Sequence, residues 1–404
     1  MEKLVALTNE ELKVRNKLHH IHDDLALSIL SKLPLKSIKR FECVNKSWSI
    51  LFENHNFMKM FRNHFLYNND YDYGDAFILL QELPVTGDPH YVWSFYLLSG
   101  ESQFHNKIKL DLPFSIDDSR TGIFILGFNS INGIICICRQ TPTNLRIVLW
   151  NPTTAEFFVI PPSPEECVPH RGCYFEFLGF GYDHIRDDYK VIRHITFHHI
   201  INNEEDVSLK DRWVDTVLEV YSVSSNSWRI LDIDMPYHQN DDFLLGAGVH
   251  INAMCHWWGV THSFVDECLV SFDLINEALV TTPASLDMYE GCELGHMVRY
   301  LVVLNESISL ISNYPETTTY YISILGELGV EKSWVKLFMV ESIPFIDYPV
   351  GVGKKGNICF NKFLDELLWI DLSTHIIDEV GLNGQSSKIG IYKESLFSIR
   401  GINN

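Results

Sequence analysis

The feature that most constrains the fold is a repeat with a period of about 50 residues. Three asparagines each end one apolar run and begin another: Asn132 in SINGIICI, Asn252 in HINAMCHWW and Asn305 in VLNESISL. Asn252 and Asn305 are 53 residues apart, and Asn357 follows after another 52 with its register displaced by one. The 120 residues between Asn132 and Asn252 leave room for two units. Such self-similarity predicts an architecture of stacked repeats.

The repeated units have the pattern of strands. In CLVSFDL, Cys268, Val270 and Phe272 face one way, whereas Ser271 and Asp273 face the other, which is the period-two alternation of a half-buried strand. Aromatic residues make up 13% of the chain, which fits sheets better than helix bundles. From about residue 75 onwards no long helical period occurs, so an all-β region is expected there.

A unit of about 40–50 residues with four strands is the size of a propeller blade, close to that of kelch repeats. One blade cannot bury both of its faces, so blades must stack around an axis to form a core. Residues 75–404 have room for about six blades, and Gly179–His194 is the candidate for the unit missing between the asparagines. The last strand pair, KIGIYKESLFSI, is expected to close the ring against the first.

The front of the chain has a different pattern. After an extension over residues 1–20, residues 21–66 predict a small helical domain, and Tyr67–Gly74 is the expected boundary with the β region. Asp23 or Asp24 is placed to cap a first helix that ends before Pro34. A second helix follows Pro34, and a third is expected around residues 55–65.

This head has more apolar side chains than three short helices can bury. Between Ser28 and Trp48, five basic residues stand against a single acid, Glu42, in a chain of net charge −20. Either the apolar side chains pack on the wall of the propeller as a cap, or they insert into a partner protein with the lysines as a polar rim.

DDLALSILSKLPLKSIKRFECVNKSW strongly resembles an F-box, through Leu-Pro, Lys-Ser-Ile-x-Arg and Val-x-Lys-x-Trp. The β region resembles the F-box-associated interaction domain of plant F-box proteins, through VLWNPTT, FGYD, YSVSSNSWRIL, VHINAMCHWW and GVEKSWVKL. Ala253 stands where that family prefers Gly after Asn. The two resemblances together cover nearly the whole chain.

The resemblance implies a substrate receptor of an SCF-type cullin-RING ubiquitin ligase. Its F-box would dock onto a Skp-type adaptor, and through it a cullin, while the propeller holds an unknown target protein. The residues that the resemblance and the helical spacing assign to adaptor binding are Leu25, Ile29, Leu30, Leu33, Pro34, Leu35, Ile38, Phe41, Val44 and Trp48.

Target binding is expected on three long irregular segments, Pro161–Cys173, His198–Trp213 and Met235–Phe243, because insertions in repeat proteins collect on the loops of one face. The target-binding residues expected there are Glu165, His170, Arg171, Glu204, Arg212 and His238.

A propeller enzyme of the hydrolase or oxidase kind, with the helices as a cap, is the alternative. No catalytic residue, metal or cofactor is predicted, because neither G-x-S-x-G nor H-E-x-x-H occurs. The string Gly351-x-Gly353-x-x-Gly356 precedes an apparent strand rather than a helix, which favours a blade turn over a phosphate cradle. His194, His198 and His199 have no Cys or carboxylate at ligand spacing, so loop histidines are expected.

Charge and hydropathy limit the partners. Asp and Glu total 52 against 32 Lys and Arg, and such a surface repels nucleic-acid backbones. No apolar run has the length of a membrane span, and the first residues are too charged for a signal peptide. A cytoplasmic or nuclear protein with free thiols is therefore expected; a Cys167–Cys173 bridge is the one disulfide weighed.

Overall fold

The computed structural model describes residues 23–33, 35–42, 48, 50–51, 54–67, 76–82, 93–99, 106–113, 122–127, 129–141, 144–167, 171–199, 213–233, 235, 237–239, 248–261, 267–284, 298–313, 317, 319–341, 346–354, 356–362, 366–383 and 388–399. The chain divides into two compact units, Met1–Asn69 and Asp70–Asn404. This division falls within the Tyr67–Gly74 stretch where the sequence pattern changes.

The described part of the first unit contains three α-helices: α1 (Asp23–Leu30), α2 (Leu35–Glu42) and α3 (His55–Tyr67). α3 begins after Asn54, whose side-chain Oδ1 accepts a 3.0 Å hydrogen bond from the backbone N–H of Phe57. This is the N-cap arrangement that Asn favours.

The described strands of the second unit form six antiparallel sheets, the blades of a propeller. Blade 1 contains β1 (Phe77–Glu82), β2 (Ser94–Ser99) and β3 (Asn106–Leu110); blade 2 contains β4 (Gly122–Ile125), β5 (Ile135–Thr141), β6 (Asn144–Asn151) and β7 (Glu156–Val159). Blade 3 contains β8 (Arg171–Asp183), β9 (Asp188–His199), β10 (Trp213–Ser222) and β11 (Ser227–Leu231). Blade 4 contains β12 (Tyr237–Gln239), β13 (Val249–Ile251), β14 (Met254–Thr261), β15 (Glu267–Asp273) and β16 (Ala278–Pro283). Blade 5 contains β17 (Val298–Leu304), β18 (Ser307–Asn313), β19 (Tyr320–Leu325) and β20 (Trp334–Val340); blade 6 contains β21 (Ile346–Val352), β22 (Ile358–Lys362), β23 (Glu366–Ile370) and β24 (Ile377–Asn383).

The last strand closes the ring. β25 (Lys388–Tyr392) pairs antiparallel with β1, so blade 1 has the order β25-β1-β2-β3 and is built from both ends of the β region. Ile389 and Tyr392 on β25 are buried, at 2% and 0% exposure. The prediction of an all-β propeller of about six blades is confirmed. Of the expected closing strand pair, only the first strand forms, because residues 393–399 follow β25 without strand structure.

The repeated asparagines lie in two-residue hairpin turns. Asn132–Gly133, Asn252–Ala253 and Asn305–Glu306 all have positive φ at both residues, between 46° and 77°. Positive φ at both central positions defines the type I′ turn, which matches the twist of paired strands and favours Asn-Gly. The spacing of the asparagines therefore reports the first hairpin of blades 2, 4 and 5.

Two irregularities of the repeat have a structural reason. The blade 6 hairpin uses a longer turn, in which Gly353 N–H donates to the Asn357 carbonyl and Gly356 takes the positive φ, so Asn357 is displaced by one position. A strand follows this glycine string, as expected for a blade turn. The missing unit, Gly179–His194, is the β8–β9 hairpin of blade 3, whose turn runs through Asp183–Asp187 instead of through an Asn pair.

The core lies in the seams between neighbouring blades. In the seam of blades 1 and 2, Phe95 and Leu97 pack with Ile137 and Trp150. In the seam of blades 3 and 4, a Cβ at Gly179 would lie 2.7 Å from Trp257, so only glycine permits this approach. Cys173 is a free thiol, which excludes the bridge to Cys167. Among the described helices, none is long and apolar enough to cross a membrane.

Candidate functional site

Helix α1 presents two large apolar side chains to solvent. Leu25 is 56% exposed and Ile29 is 48% exposed. They are four residues apart on a helix and therefore lie side by side on one face. An exposed Leu–Ile pair on an eight-residue helix is the kind of surface that a partner protein buries.

The rest of the head supports this helix. α1 packs against α3, where Phe57 and Phe61 are buried and their rings stack with centroids 5.9 Å apart. The rings of Phe41, on α2, and Trp48 meet edge to face at 5.8 Å. α1 ends in tightened turns, with the N–H groups of Lys32 and Leu33 bonding to carbonyls three residues back.

The predicted adaptor-binding residues divide into four groups. Leu25 and Ile29 are exposed, and Leu33, Phe41 and Trp48 are half-buried. Leu30 and Ile38 are buried, at 4% and 0% exposure. They therefore support the packing of the head, and in this conformation a partner cannot contact them. Leu35 lies in α2, and its side chain, Pro34 and Val44 are outside the described residues. The assignment of these ten residues to adaptor contact stays a prediction.

The propeller has two different ends. Connections from the first to the second strand of a blade, and from the third to the fourth, emerge at one end, which we call the turn end. Connections from the second to the third strand, and from one blade to the next, leave from the opposite end, which we call the loop end. The strand ends that border the three predicted target-binding segments, β7/β8, β9/β10 and β11/β12, all lie at the loop end.

The structure shortens the three irregular segments. Arg171 and Cys173 lie in β8, His198 in β9, and His238 in β12, so these residues are on strands and the expectation of loops is wrong for them. Residues 168–170, 200–212 and 240–247, with His170, Glu204 and Arg212, are outside the described residues. The six target-binding residues stay a prediction.

The segment with Glu165 is firmly held. Residues Pro164–Cys167 form a 3₁₀ turn, in which Glu165 is half-buried and Glu166 pairs with the buried guanidinium of Arg193. Arg193 Nε also donates to Glu219 at 2.6 Å, and its guanidinium lies 3.9 Å from the ring centroid of Trp228. Such anchoring presents Glu165 on a rigid support.

The described residues do not form a catalytic centre of a familiar kind. The Nδ1 atom of His256 lies 2.8 Å from the Ser271 hydroxyl, but the two residues are 1% and 0% exposed, so a substrate cannot reach them. Burial lowers the pKa of His256 to about 3. Within the described part of the chain, no three His, Cys, Asp or Glu side chains are placed to hold a metal. Trp257, Trp258 and Trp334 are buried packing residues.

Two arginines that the sequence motifs do not single out lie opposite each other on blade 2. Arg139 on β5 and Arg146 on β6 are register partners, and both are accessible, Arg146 the more so. The sequence signal is an Arg at an apolar position of the alternation in ICICRQT and in NLRIVLW.

Comparison with known proteins agrees with this architecture. Residues 18–60 match the F-box domain, and residues 90–396 match the F-box associated beta propeller domain. One F-box protein of Arabidopsis thaliana is 24% identical over 364 residues, covering 86% of this chain and 80% of its own length. A second is 27% identical over 309 residues, covering 69% and 71%.

Among solved structures, Kuenenia stuttgartiensis hydrazine synthase aligns with a TM-score of 0.42 at 9% identity, over 82% of this chain and 48% of that one, which is too distant a likeness for any conclusion. The family matches, by contrast, cover both units and most of the chain. The chain is a member of the F-box protein family, with an amino-terminal F-box and an F-box associated beta propeller domain.

Proposed function

We propose that this protein is the substrate receptor of an SCF-type cullin-RING ubiquitin ligase. The head docks onto a Skp-type adaptor, and through it a cullin, while the loop end of the propeller holds a target protein. The observation that carries the proposal is the exposed Leu25–Ile29 face of α1, within a segment that matches the F-box domain.

The receptor works by proximity and performs no covalent chemistry itself. Holding a target near a charged ubiquitin-conjugating enzyme raises the effective concentration of its lysines, to the order of mM for a short tether. A ring of six blades closed by β25 is a rigid support for such a target. The buried Ser271–His256 pair argues against the alternative of a propeller hydrolase. The complex acts in the cytosol, the nucleus or both.

Affinity purification from plant cells with the proteasome blocked tests the proposal. The wild-type chain is compared with Leu25→Asp/Ile29→Asp and with a matched control, Ile185→Asp/Ile376→Asp, which changes two exposed residues at the turn end of the propeller. We expect a Skp-type adaptor and a cullin with the wild type and the control, but not with the head variant. An adaptor recovered equally with all three, or with none, contradicts the proposal.

A further inference from the structure

The seam between blades 1 and 2 contains an unusual pair of cations. Arg139 and Arg146 are directly opposite each other on β5 and β6. Residues in register share a face of the sheet, and this face also carries Ile137 and Trp150, which pack against blade 1. Both arginines therefore point towards blade 1, near the loop end of their strands.

Neither arginine has an anionic partner in the described part of the chain. No ion pair or hydrogen bond is made by either guanidinium there, and the Nε of Arg139 is buried without an acceptor. Like charges directly opposite on neighbouring strands repel, and a buried donor left unpaired costs about 1–3 kcal/mol. Within the described residues, this pair of arginines therefore adds no ion pair to the seam.

Within the described residues, the facing side of blade 1 adds no acidic side chain at this level. Its row at the loop end consists of Lys388, Gln81, Phe95 and Leu110, which are register partners across β25, β1, β2 and β3. Burial lowers the pKa of Lys388 to about 8, which leaves this amine mostly protonated at neutral pH. The seam is thus locally basic.

Apolar side chains flank the cations where the two blades diverge. Phe157 and Val159 on β7 are 51% and 38% exposed, and they share a face with Trp150 and Val148, their register partners. Ile108 on β3 is 53% exposed and shares a face with Leu97, which is directed at blade 2. β3 and β7 are the outer strands of their sheets, so these residues form the two walls of a peripheral groove.

We propose that this groove binds an extended segment of a partner protein in which an acidic side chain is followed or preceded, at alternate positions, by large apolar ones. The proposal rests on the proposed function only in naming the partner as the target; the binding itself requires no adaptor. A carboxylate would satisfy the forked donors of Arg139 and Arg146 and remove their mutual repulsion. Leu, Ile or Phe of the segment would cover Phe157, Val159 and Ile108. Alternate side chains of an extended segment lie on one face, which matches the rows of the sheet.

An array of twelve-residue peptides tests this with the purified full-length chain. Each peptide carries Leu, Leu and Glu at alternate positions in either order, with Ser between them, and matched arrays replace Glu by Gln or Lys. The variant Arg139→Gln/Arg146→Gln is compared with Lys332→Gln/Lys354→Gln, which removes the same charge at the turn end. Of the three arrays, we expect only the Glu peptides to bind. The wild type and the control should bind them at least about tenfold more tightly than the arginine variant does.

The thermal midpoint separates this role from a structural one. Because the two arginines repel each other, we expect Arg139→Gln/Arg146→Gln to melt at the wild-type temperature or above it. A lower midpoint, equal binding of Gln or Lys peptides, or undiminished binding by the arginine variant overturns the proposal. Absence of binding to every Glu peptide also overturns it, and so does binding of inorganic phosphate without binding of any Glu peptide. None of these measurements involves the adaptor, so failure of this proposal is distinguishable from failure of the proposed function.

Discussion

At the scale of single residues, the buried ions of the seam between blades 3 and 4 explain the FGYD phrase. Lys190 Nζ donates to Asp183 at 2.8 Å and to the Leu274 carbonyl at 2.7 Å, and it pairs with Glu277 at 3.3 Å. Burial acts to raise the pKa of Asp183, but hydrogen bonds from Lys190 and Arg186 outweigh it and hold that pKa well below its usual range. Lys190 thus links β9 of blade 3 to the hairpin turn that follows β15 of blade 4.

Lys190→Met is expected to be strongly destabilising, because it leaves the carboxylate of Asp183, a fully buried side chain, without its main partner. Removing one partner of a buried pair costs about 3–5 kcal/mol. Lys362→Met is the matched control, since Lys362 is 27% exposed and pairs with the exposed Glu366 and Glu379. Its cost is expected to be small, because solvent screens exposed ion pairs. Urea unfolding of both variants measures the difference, and equal costs would contradict the role given to Lys190.

At the scale of elements, the hairpins were the most predictable part of the fold. Asn favours the left-handed conformation, so Asn132, Asn252 and Asn305 signal a tight turn from local chemistry alone. The register of Asn357 was not predictable, because a Gly at 356 takes over the positive φ and lengthens the turn. The strand ends at the loop end were also missed: Arg171 and His238 follow no clear alternation, and pairing with β9 and β14 decides their conformation.

Ala253→Gly is expected to stabilise the protein. Ala253 has a φ of 58°, a conformation that costs an alanine roughly 1 kcal/mol and a glycine almost nothing. This agrees with the preference for Gly at this position in the resembling family. Ala278→Gly is the control, because Ala278 begins strand β16 and glycine weakens strands by roughly 0.5–1 kcal/mol. Thermal midpoints should move up for the first variant and down for the second; a fall in both would refute the strained-turn explanation.

At the scale of the whole molecule, ring closure depends on the end of the chain. Beyond β25, the segment 393–399 runs across blade 2, where the buried side-chain amide of Asn151 donates to the carbonyls of Ser395 and Phe397. Ile399 is 1% exposed and packs into the core between blades 2 and 3. Asn151 belongs to the WNPTT phrase, so the structure gives that motif a role in holding the carboxyl-terminal segment. Motif reading could not predict this contact, which joins residues more than 240 positions apart.

Deletion of residues 388–404 is therefore expected to destabilise the entire propeller, since it removes β25, leaves β1 as an open edge and exposes its partners Leu79 and Leu80. The variant Leu396→Ser/Phe397→Ser is the control, because it changes two exposed side chains and keeps β25, and it should leave the melting curve unchanged. Circular dichroism melting of the deletion and of this variant checks the prediction. A cooperative transition at the wild-type temperature in the deletion would show that the ring does not need its last strand.

The hydrophobic period changes near residue 70, which predicts a division into head and propeller, and the two compact units meet between Asn69 and Asp70. The exposure of the predicted contact residues followed only in part. Helical spacing places Leu25, Ile29 and Leu30 on one stripe, but tertiary packing buries Leu30 and leaves the other two exposed. Arg139 and Arg146 were missed because neither belongs to a motif, and only the strand register brings them together.

The most direct test of the account is calorimetric titration of the purified full-length chain with a Skp-type adaptor. We expect a one-to-one complex with a micromolar or tighter dissociation constant. Leu25→Asp/Ile29→Asp should weaken this affinity at least about 100-fold, and Ile185→Asp/Ile376→Asp should leave it unchanged. Equal affinity of the head variant and the wild type, or no heat of binding with the wild type, would contradict it.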